Sequence, residues 1–505
     1  MIRRSAFLAA LVFAGAPYAA AQSTLITGAL VVDGSGSPGV AASVRIQGDR
    51  IVDVGDLKPR NGEHIINAKG YVLAPGFIDT HSHADEDIFQ HPDAIAAVSQ
   101  GITTVVVGQD GESVYPLREF FAKLEQLPPA VNVASYAGHG TVRGLVMGKD
   151  FRRHATPAEV DSMHKVLDVE ILAGALGLSS GLEYDPGIYS DSTELFTLTD
   201  VFALSGSRYI SHIRSEDRYY WAAIDEIIAI GRRSRIPVQV SHTKLAMKAI
   251  WGQHDSLIHV LNRARDDGVL ITADVYPYTY WQSGLTVLFP ARDFDNRASA
   301  AFALGQVSPA DGLLLTHYGP NPGYNGKTIA EIAKMRHEDD TTTLMALIRD
   351  GENAKATDVS KGEMTVLGTS MVEPDIEAIL KWPWSNVCTD GELDGKHPRG
   401  YGAFTRVLGV YVRERHVLPL EEAIRKMSWL AATNVGIKER GRISVGMFAD
   451  LVLFDPKKVA DRATLKEPHA LSAGVKEVWV NGLPVYLDGK VTGALPGRAL
   501  RRQNK

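Results

Sequence analysis

Two histidines one residue apart, His81 and His83, close an apolar run that starts at Tyr71 and passes through Pro75-Gly76-Phe77-Ile78-Asp79. In an extended strand alternate side chains share a face, so both imidazoles aim at one point just beyond the strand end. Neutral imidazole in that setting is a good ligand for a divalent metal ion. Four other β-like segments end in the same manner: Ser211-His212-Ile213-Arg214, Ser241-His242-Thr243-Lys244, Gly108-Gln109-Asp110-Gly111 and Cys388-Thr389-Asp390-Gly391. If these segments lie side by side and parallel, His81, His83, His212, His242, Asp110 and Asp390 converge on one rim. Four imidazoles with one or two carboxylates suit one or two divalent ions of the Zn²⁺ type. Such an ion lowers the pKa of a bound water to about 7 and polarises a carbonyl. Asp390 is placed to take the proton of that water and hand it to a leaving group. The predicted chemistry is hydrolysis of an amide or related C–N bond.

The cations nearby point to the substrate. Arg214, Lys244 and Arg399 (in His397-Pro398-Arg399-Gly400) follow strand ends, and a guanidinium matches a carboxylate with paired hydrogen bonds. Tyr184, Tyr276 and Tyr278 add hydroxyl donors. Together they predict a small substrate with a free carboxylate next to the scissile amide. His139, in Gly138-His139-Gly140, is expected near the rim; His317 reaches it only if its segment folds over the site; Cys388 reads as structural.

For these residues to meet, the chain must supply a parallel sheet. Eight apolar strand-like segments can be counted, at 72–79, 102–108, 131–136, 175–179, 208–211, 236–240, 269–275 and 385–389. Helical patterns separate them, for example at 157–167, 219–232 and 256–267. This alternation predicts an α/β fold, a TIM-type (β/α)8 barrel with its reactive residues at the C-terminal strand ends. The gap from about 280 to 365 is too long for an ordinary connection and reads as an inserted lid subdomain (about 285–360), with helices over 328–336 and 341–348. Short strand-like pieces parted by Gly-rich turns occupy 24–70 and return near 449–486, so the two chain ends are expected to complete one small β-sandwich. The expected division is a signal peptide at 1–21, sandwich at 22–73, barrel at 74–435 and sandwich with a tail at 436–505.

Composition narrows the class. The chain has 505 residues and a formal net charge of -6, with no long basic run, which argues against a nucleic-acid partner. Arg3 and Arg4, the apolar stretch from Phe7 to Ala16 and the small residues Ala19-Ala20-Ala21 before Gln22 read as a secretory signal. The expectation is export to the periplasm or beyond, with cleavage near Ala21–Gln22 and no membrane partner afterwards. With Cys388 as the only cysteine, no internal disulfide can form.

Several stretches carry a family likeness. They are Pro75-Gly76-Phe77-Ile78-Asp79-Thr80-His81-Ser82-His83, His212-Ile213-Arg214-Ser215-Glu216, Val240-Ser241-His242-Thr243-Lys244, Tyr276-Pro277-Tyr278, Thr389-Asp390-Gly391 and His397-Pro398-Arg399-Gly400-Tyr401-Gly402. A return at Gly441-Arg442-Ile443-Ser444-Val445-Gly446-Met447-Phe448-Ala449-Asp450 completes the set. From about Leu25 to Arg501 the chain resembles the amidohydrolase superfamily and, within it, the N-acyl-D-amino-acid deacylase (D-aminoacylase) group. The resemblance implies a barrel with a small β-sandwich and an insertion near the active site. It implies that His81, His83, His212 and His242 bind metal, that Asp390 touches metal and acts as general base, and that Lys244, Tyr276 and Arg399 hold the substrate carboxylate. The D configuration is implied by the resemblance alone.

One position departs from the pattern. Members of the group commonly carry a metal-bridging cysteine in Gly-Asn-Cys-Gly; here the stretch is Gly108-Gln109-Asp110-Gly111, and Asp110 takes the cysteine's place. A carboxylate can still bridge two ions but is a harder ligand than thiolate. Other branches bridge with a carboxylated lysine on the fourth strand, and 175–179 contains none. Two rival readings share the scaffold: a dipeptidase or cyclic-amide hydrolase, and a non-catalytic exported binding protein. Asp390 beside four histidines argues against the second rival.

Overall fold

The apolar run at 72–79 forms two strands, not one. In a computed structural model that describes residues 23–502 except 201 and 203–205, Val72–Pro75 pairs antiparallel with Leu451–Phe454, whereas Phe77–Asp79 pairs parallel with Ile102–Val107. Gly76 is the break. Its N–H donates to the Asp450 carbonyl at 2.8 Å, and a Cβ there would lie 2.3 Å from the Thr103 side chain, so only glycine fits between the two layers. The first terminal piece therefore ends at Pro75, two residues past the expected boundary at 73. The expected signal segment, 1–21, lies outside the described residues.

Two parallel sheets carry the strand ends of interest. One has three strands, Phe77–Asp79, Ile102–Val107 and Asn132–Ser135. The other has six, in the order Ser385–Val387, Ile271–Val275, Val238–Val240, Arg208–His212, Gly177–Gly181 and Ala137–Gly138. The third expected strand serves both sheets, since Tyr136 alone separates Ser135 from Ala137. On the far side the two sheets approach again: Asp390 N–H donates to the His81 carbonyl at 2.8 Å, and Ser82 and Gly391 form a single parallel bridge. All eight expected strands are present, most of them shorter than read, but the hydrogen-bonded ladder does not close into a continuous ring. Their residues are almost wholly buried, all six of Ile102–Val107 among them, which explains why they read as apolar runs without alternation.

Helices return the chain between strands. Pro157–Ala173 opens with a capping box between Thr156 and Glu159 and stops at Gly174 in the left-handed region. Tyr220–Ser234 and His254–Asp266 bury apolar faces and pack against the strands that come after them, Val238–Val240 and Ile271–Val275. The segment between the last two parallel strands is larger than expected. It holds an antiparallel sheet, Tyr280–Gly284, Met364–Thr369 and Leu313–Tyr318, and helices that include Ile329–Arg336 and Asp340–Lys355. Its limits are set by Tyr280 pairing with Thr369, so it runs from 280 to 369 instead of 285–360. The chain ends build one nine-stranded mixed sheet, where a small sandwich was expected, around Ile26, Val44, Leu451 and Trp479. No helix among the described residues is long and apolar enough to cross a membrane.

Candidate metal centre and active site

The strand ends turn sharply inward. Asp110, His242 and Asp390 have φ of 52°, 31° and 51°, a left-handed conformation that a non-glycine residue adopts only when its surroundings enforce it. The enforcing contacts are visible. Buried Asp274 accepts the backbone N–H of His242 and the Gln239 amide, the latter at 2.6 Å. Buried Asp79 accepts the backbone N–H groups of Thr389 at 2.9 Å and His81 at 3.3 Å, joining the two strand ends that carry His81 and Asp390. Burial raises the Asp79 carboxyl to about 7, against the lowering effect of these hydrogen bonds. The Asp110 turn lies flat on the fourth strand, where a Cβ on Gly181 would sit 1.9 Å from the Asp110 carbonyl oxygen.

These turns gather one cluster. His81 Nε2 lies 3.4 Å from both Asp110 Oδ1 and Asp390 Oδ1. His83 Nε2 is 3.3 Å from Asp390 Oδ1 and 3.6 Å from Asp110 Oδ2, and His242 Nε2 is 3.3 Å from Asp110 Oδ1. His212 joins at the edge, its Nδ1 3.1 Å from His242 Nε2. One ligand atom from each of His81, Asp110, His242 and Asp390 fits within 4.8 Å of all the others, as do atoms of His212, Glu216 and His242. Both ring nitrogens of His81 and Asp110 Oδ1 are buried with no hydrogen-bond partner among the described residues. Buried polar atoms are rarely left so, and nitrogen with carboxylate oxygen is the donor set of a zinc-class ion. The residues fit the metal that the sequence implies.

The electrostatics agree with a cation site. Burial alone would raise the Asp390 carboxyl, yet Arg399, His242 and His81 hold it well below the usual carboxylate range. Asp110 is held low in the same way, by His81 and His242 against burial. Burial and Lys244 press the His242 imidazole down, but Asp110, Asp390 and Glu216 outweigh them and lift it to about 10.

Most of the expected substrate contacts surround this cluster, in a cavity of about 910 Å³ lined by Lys244, Tyr276, Tyr184 and Arg399 among others. Lys244 Nζ donates to Glu216 at 2.6 Å and reaches His242 Nδ1 at 2.7 Å. Arg399 forms an ion pair with Asp390 Oδ2, while its Nε and the Tyr276 hydroxyl stay buried without a partner among the described residues. His397 holds Arg399 in place. Burial and Arg399 keep its ring neutral, Nδ1 accepts the Arg399 backbone N–H at 2.9 Å, and Nε2 donates to the Tyr280 carbonyl at 2.9 Å. Tyr184 OH lies 3.2 Å from His212 Nδ1.

Arg214 goes elsewhere. It was expected to touch substrate, but its guanidinium forks onto Glu226 at 2.9 and 3.0 Å and donates to the Ser190 carbonyl, outside the cavity lining. Tyr278 packs on His397 behind the site, and His139 is tied to Glu194 at 2.7 Å. His317 is half exposed beside Glu363. Cys388 is buried against Asp274. Of the lining carboxylates that sequence reading missed, Glu183 and Glu216 touch the cluster. Glu183 Oε2 accepts from His212 Nε2 at 3.1 Å, and Glu216 sits between Lys244 and His242 Nδ1, the latter at 3.2 Å. Each stands two or four residues past a strand end, a spacing that could have placed them on the rim.

A parallel-strand rim with a buried imidazole–carboxylate cluster defines a metal-assisted hydrolase. Comparison with known proteins narrows this. The amidohydrolase family model matches residues 286–486. N-acyl-D-glutamate deacylase of Alcaligenes xylosoxydans xylosoxydans is 36% identical over 502 residues, covering 95% of this chain and 96% of that one. A solved D-aminoacylase, studied for its binuclear metal centre, superposes with a TM-score of 0.85 at 33% identity, covering 95% and 99% of the two chains. N-acyl-D-glutamate deacylase from Bordetella Bronchiseptica, solved with zinc and a phosphonate mimic of the tetrahedral intermediate, does so at 0.84 and 34%, with the same coverage. The chain belongs to the amidohydrolase family, in its N-acyl-D-amino-acid deacylase group.

Proposed function

We propose that this protein hydrolyses the amide bond of N-acyl-D-amino acids, releasing a carboxylic acid and a free D-amino acid. The observation that carries the proposal is the pair of unpartnered buried donors, Arg399 Nε and Tyr276 OH, opening with Lys244 into the cavity that also holds the imidazole–carboxylate cluster. A substrate α-carboxylate satisfies them, and its amide then lies over the cluster. His81, His83, Asp110, His212, His242 and Asp390 are the residues that would hold one or two zinc-class ions. Bound there, the ion supplies Lewis acidity toward the acyl carbonyl and acidifies water.

The chain's own groups supply the rest. Asp390, kept ionised by Arg399, accepts a proton from the attacking water at its carboxylate and returns it to the departing nitrogen. Lys244 and Arg399 fix the substrate through its charge, so that the amide arrives with its carbonyl oriented. The same reading takes the two parallel sheets as one barrel rim, and the 280–369 segment as the lid that excludes water. Metal-replete protein assayed against N-acyl-D-amino acids, their L enantiomers, dipeptides and cyclic amides tests the proposal. Turnover is expected for the N-acyl-D series; exclusive turnover of the L series or of cyclic amides would overturn it.

A further inference from the structure

The cavity has two kinds of wall. One is the rim, with its imidazoles, carboxylates and the ion-paired Lys244 and Arg399. The other comes from the 280–369 segment and mixes apolar with neutral polar side chains: Trp281, Leu285, Leu288, Val307 and Met364 are buried there and Val287 is half-buried, with Gln282, Ser283 and Thr286 between them. A substrate held by its α-carboxylate and cleaved at its amide sends two groups into the remaining space, its side chain and its acyl chain. Both must rest against that second wall or face the opening.

Charge decides what those groups can be. Among the described lining residues the Lys and Arg side chains are Lys244, Arg399 and Lys355. Lys244 is paired with Glu216 and Arg399 with Asp390, and both are committed to the α-carboxylate. Lys355 is exposed at the last turn of Asp340–Lys355, with Glu352 and Asp358 also lining the cavity beside it. Elsewhere the lining adds carboxylates: Glu86, Glu112 and Glu392 near His83, and Glu183 beside His212. A second carboxylate on the substrate finds no buried cation free to pair with it, only neutral side chains on one wall and carboxyl groups on the other, and burying an unpaired carboxylate is costly.

Resting on the deacylase reading above, we infer that this enzyme takes N-acyl-D-amino acids with uncharged, apolar side chains, and rejects N-acyl-D-glutamate and N-acyl-D-aspartate. Overall similarity does not decide this. The chain is about equally similar to a glutamate deacylase and to a D-aminoacylase, whereas the lack of a free buried cation in the cavity lining does discriminate.

The test is kcat/KM of zinc-loaded enzyme for the N-acetyl derivatives of D-leucine, D-phenylalanine, D-glutamate and D-lysine. Leucine and phenylalanine are expected to exceed glutamate by about 100-fold or more. Glutamate within about tenfold of leucine would overturn the inference while leaving the deacylase reading intact. Lysine as the best substrate would overturn it too, because the acidic opening would then govern. No turnover of any N-acyl-D-amino acid would remove the deacylase reading and this inference with it. A second arm uses Val287→Lys, which adds a cation at a half-buried place on the insertion wall. It is expected to raise the glutamate-to-leucine ratio by about tenfold. An unchanged ratio in the folded variant would show that this wall does not choose the side chain.

Discussion

The rim and the insertion wall face each other across one cavity and are built on opposite principles. At the rim the functional side chains are polar and buried, and a second polar group fixes the backbone that carries several of them: Asp79 holds Thr389 and His81, Asp274 holds His242, and His397 holds Arg399. Three rim residues carry left-handed backbone that these contacts enforce. The insertion wall instead sets apolar side chains such as Trp281, Leu285 and Val307 among neutral polar ones such as Gln282 and Ser283, on a small antiparallel sheet of its own. Chemistry needs particular atoms at particular places and is intolerant of substitution. Apolar contact needs volume and shape, which many residues supply. The comparison therefore assigns reaction type to the rim and side-chain preference to the wall.

The largest expected effect breaks the rim. Asp390→Ala should lower kcat by about 10³-fold or more, the range for losing a positioned acid–base group together with an electrostatic contact. Circular dichroism should show the fold retained. Activity within about tenfold of the parent would move the proton-transfer role away from Asp390.

The same contrast explains what could be read from the sequence. His81, His83, His212, His242 and Asp390 announce themselves because a polar residue at the end of an apolar parallel strand has few purposes. The strands were legible for the same reason, as unbroken apolar runs. Three things were not. The break at Gly76 depends on Thr103 and Asp450, which are distant in sequence. The sheet within 280–369 pairs strands more than forty residues apart, Tyr280–Gly284 with Met364–Thr369, so local pattern could not fix its limits. Arg214 follows His212 by two residues as Lys244 follows His242, and the packing of Glu226 from the following helix turns it aside. Glu183 and Glu216 were overlooked because a carboxylate a few residues beyond a strand usually faces water.

Asp110 sharpens the comparison inside the rim. As a carboxylate where the group commonly has a cysteine, with its Oδ1 buried beside His81 and His242, it should matter for metal occupancy more than for the fold. Asp110→Asn should lower metal content per chain and weaken zinc affinity by about 10- to 100-fold, measured by elemental analysis and chelator competition. Full metal content with full activity would remove Asp110 from the ligand set.

Protons compete for the same atoms. Without metal, the carboxylates around His242 lift its pKa to about 10, and Asp110 and Asp390 lift His83 well above the ordinary value although burial opposes them. Raised pKa values mean that these rings are protonated at neutral pH in the metal-free protein. Metal binding must then expel protons, so zinc affinity should rise as pH rises from about 6 to 8, by about tenfold per unit for each proton released. Calorimetry in buffers of different ionisation enthalpy would count them. An affinity independent of pH would mean that the rings are already neutral before metal arrives.

The smallest effect separates the rim from its supports. Arg214 lies two residues past His212, yet its guanidinium is spent on Glu226 and the Ser190 carbonyl. If it contacted substrate, Arg214→Met would raise KM strongly, as loss of a charge-assisted contact does. If it only fastens the Gly187–Tyr189 turn region to Tyr220–Ser234, KM should stay within about threefold of the parent. Stability should then fall by about 1 kcal/mol, because the Glu226 ion pair is partly exposed and screened by water. A Glu226→Gln variant should lose about as much stability, and the double variant little more, because both changes remove the same pair. A large rise in KM confined to Arg214→Met would return this residue to the substrate site.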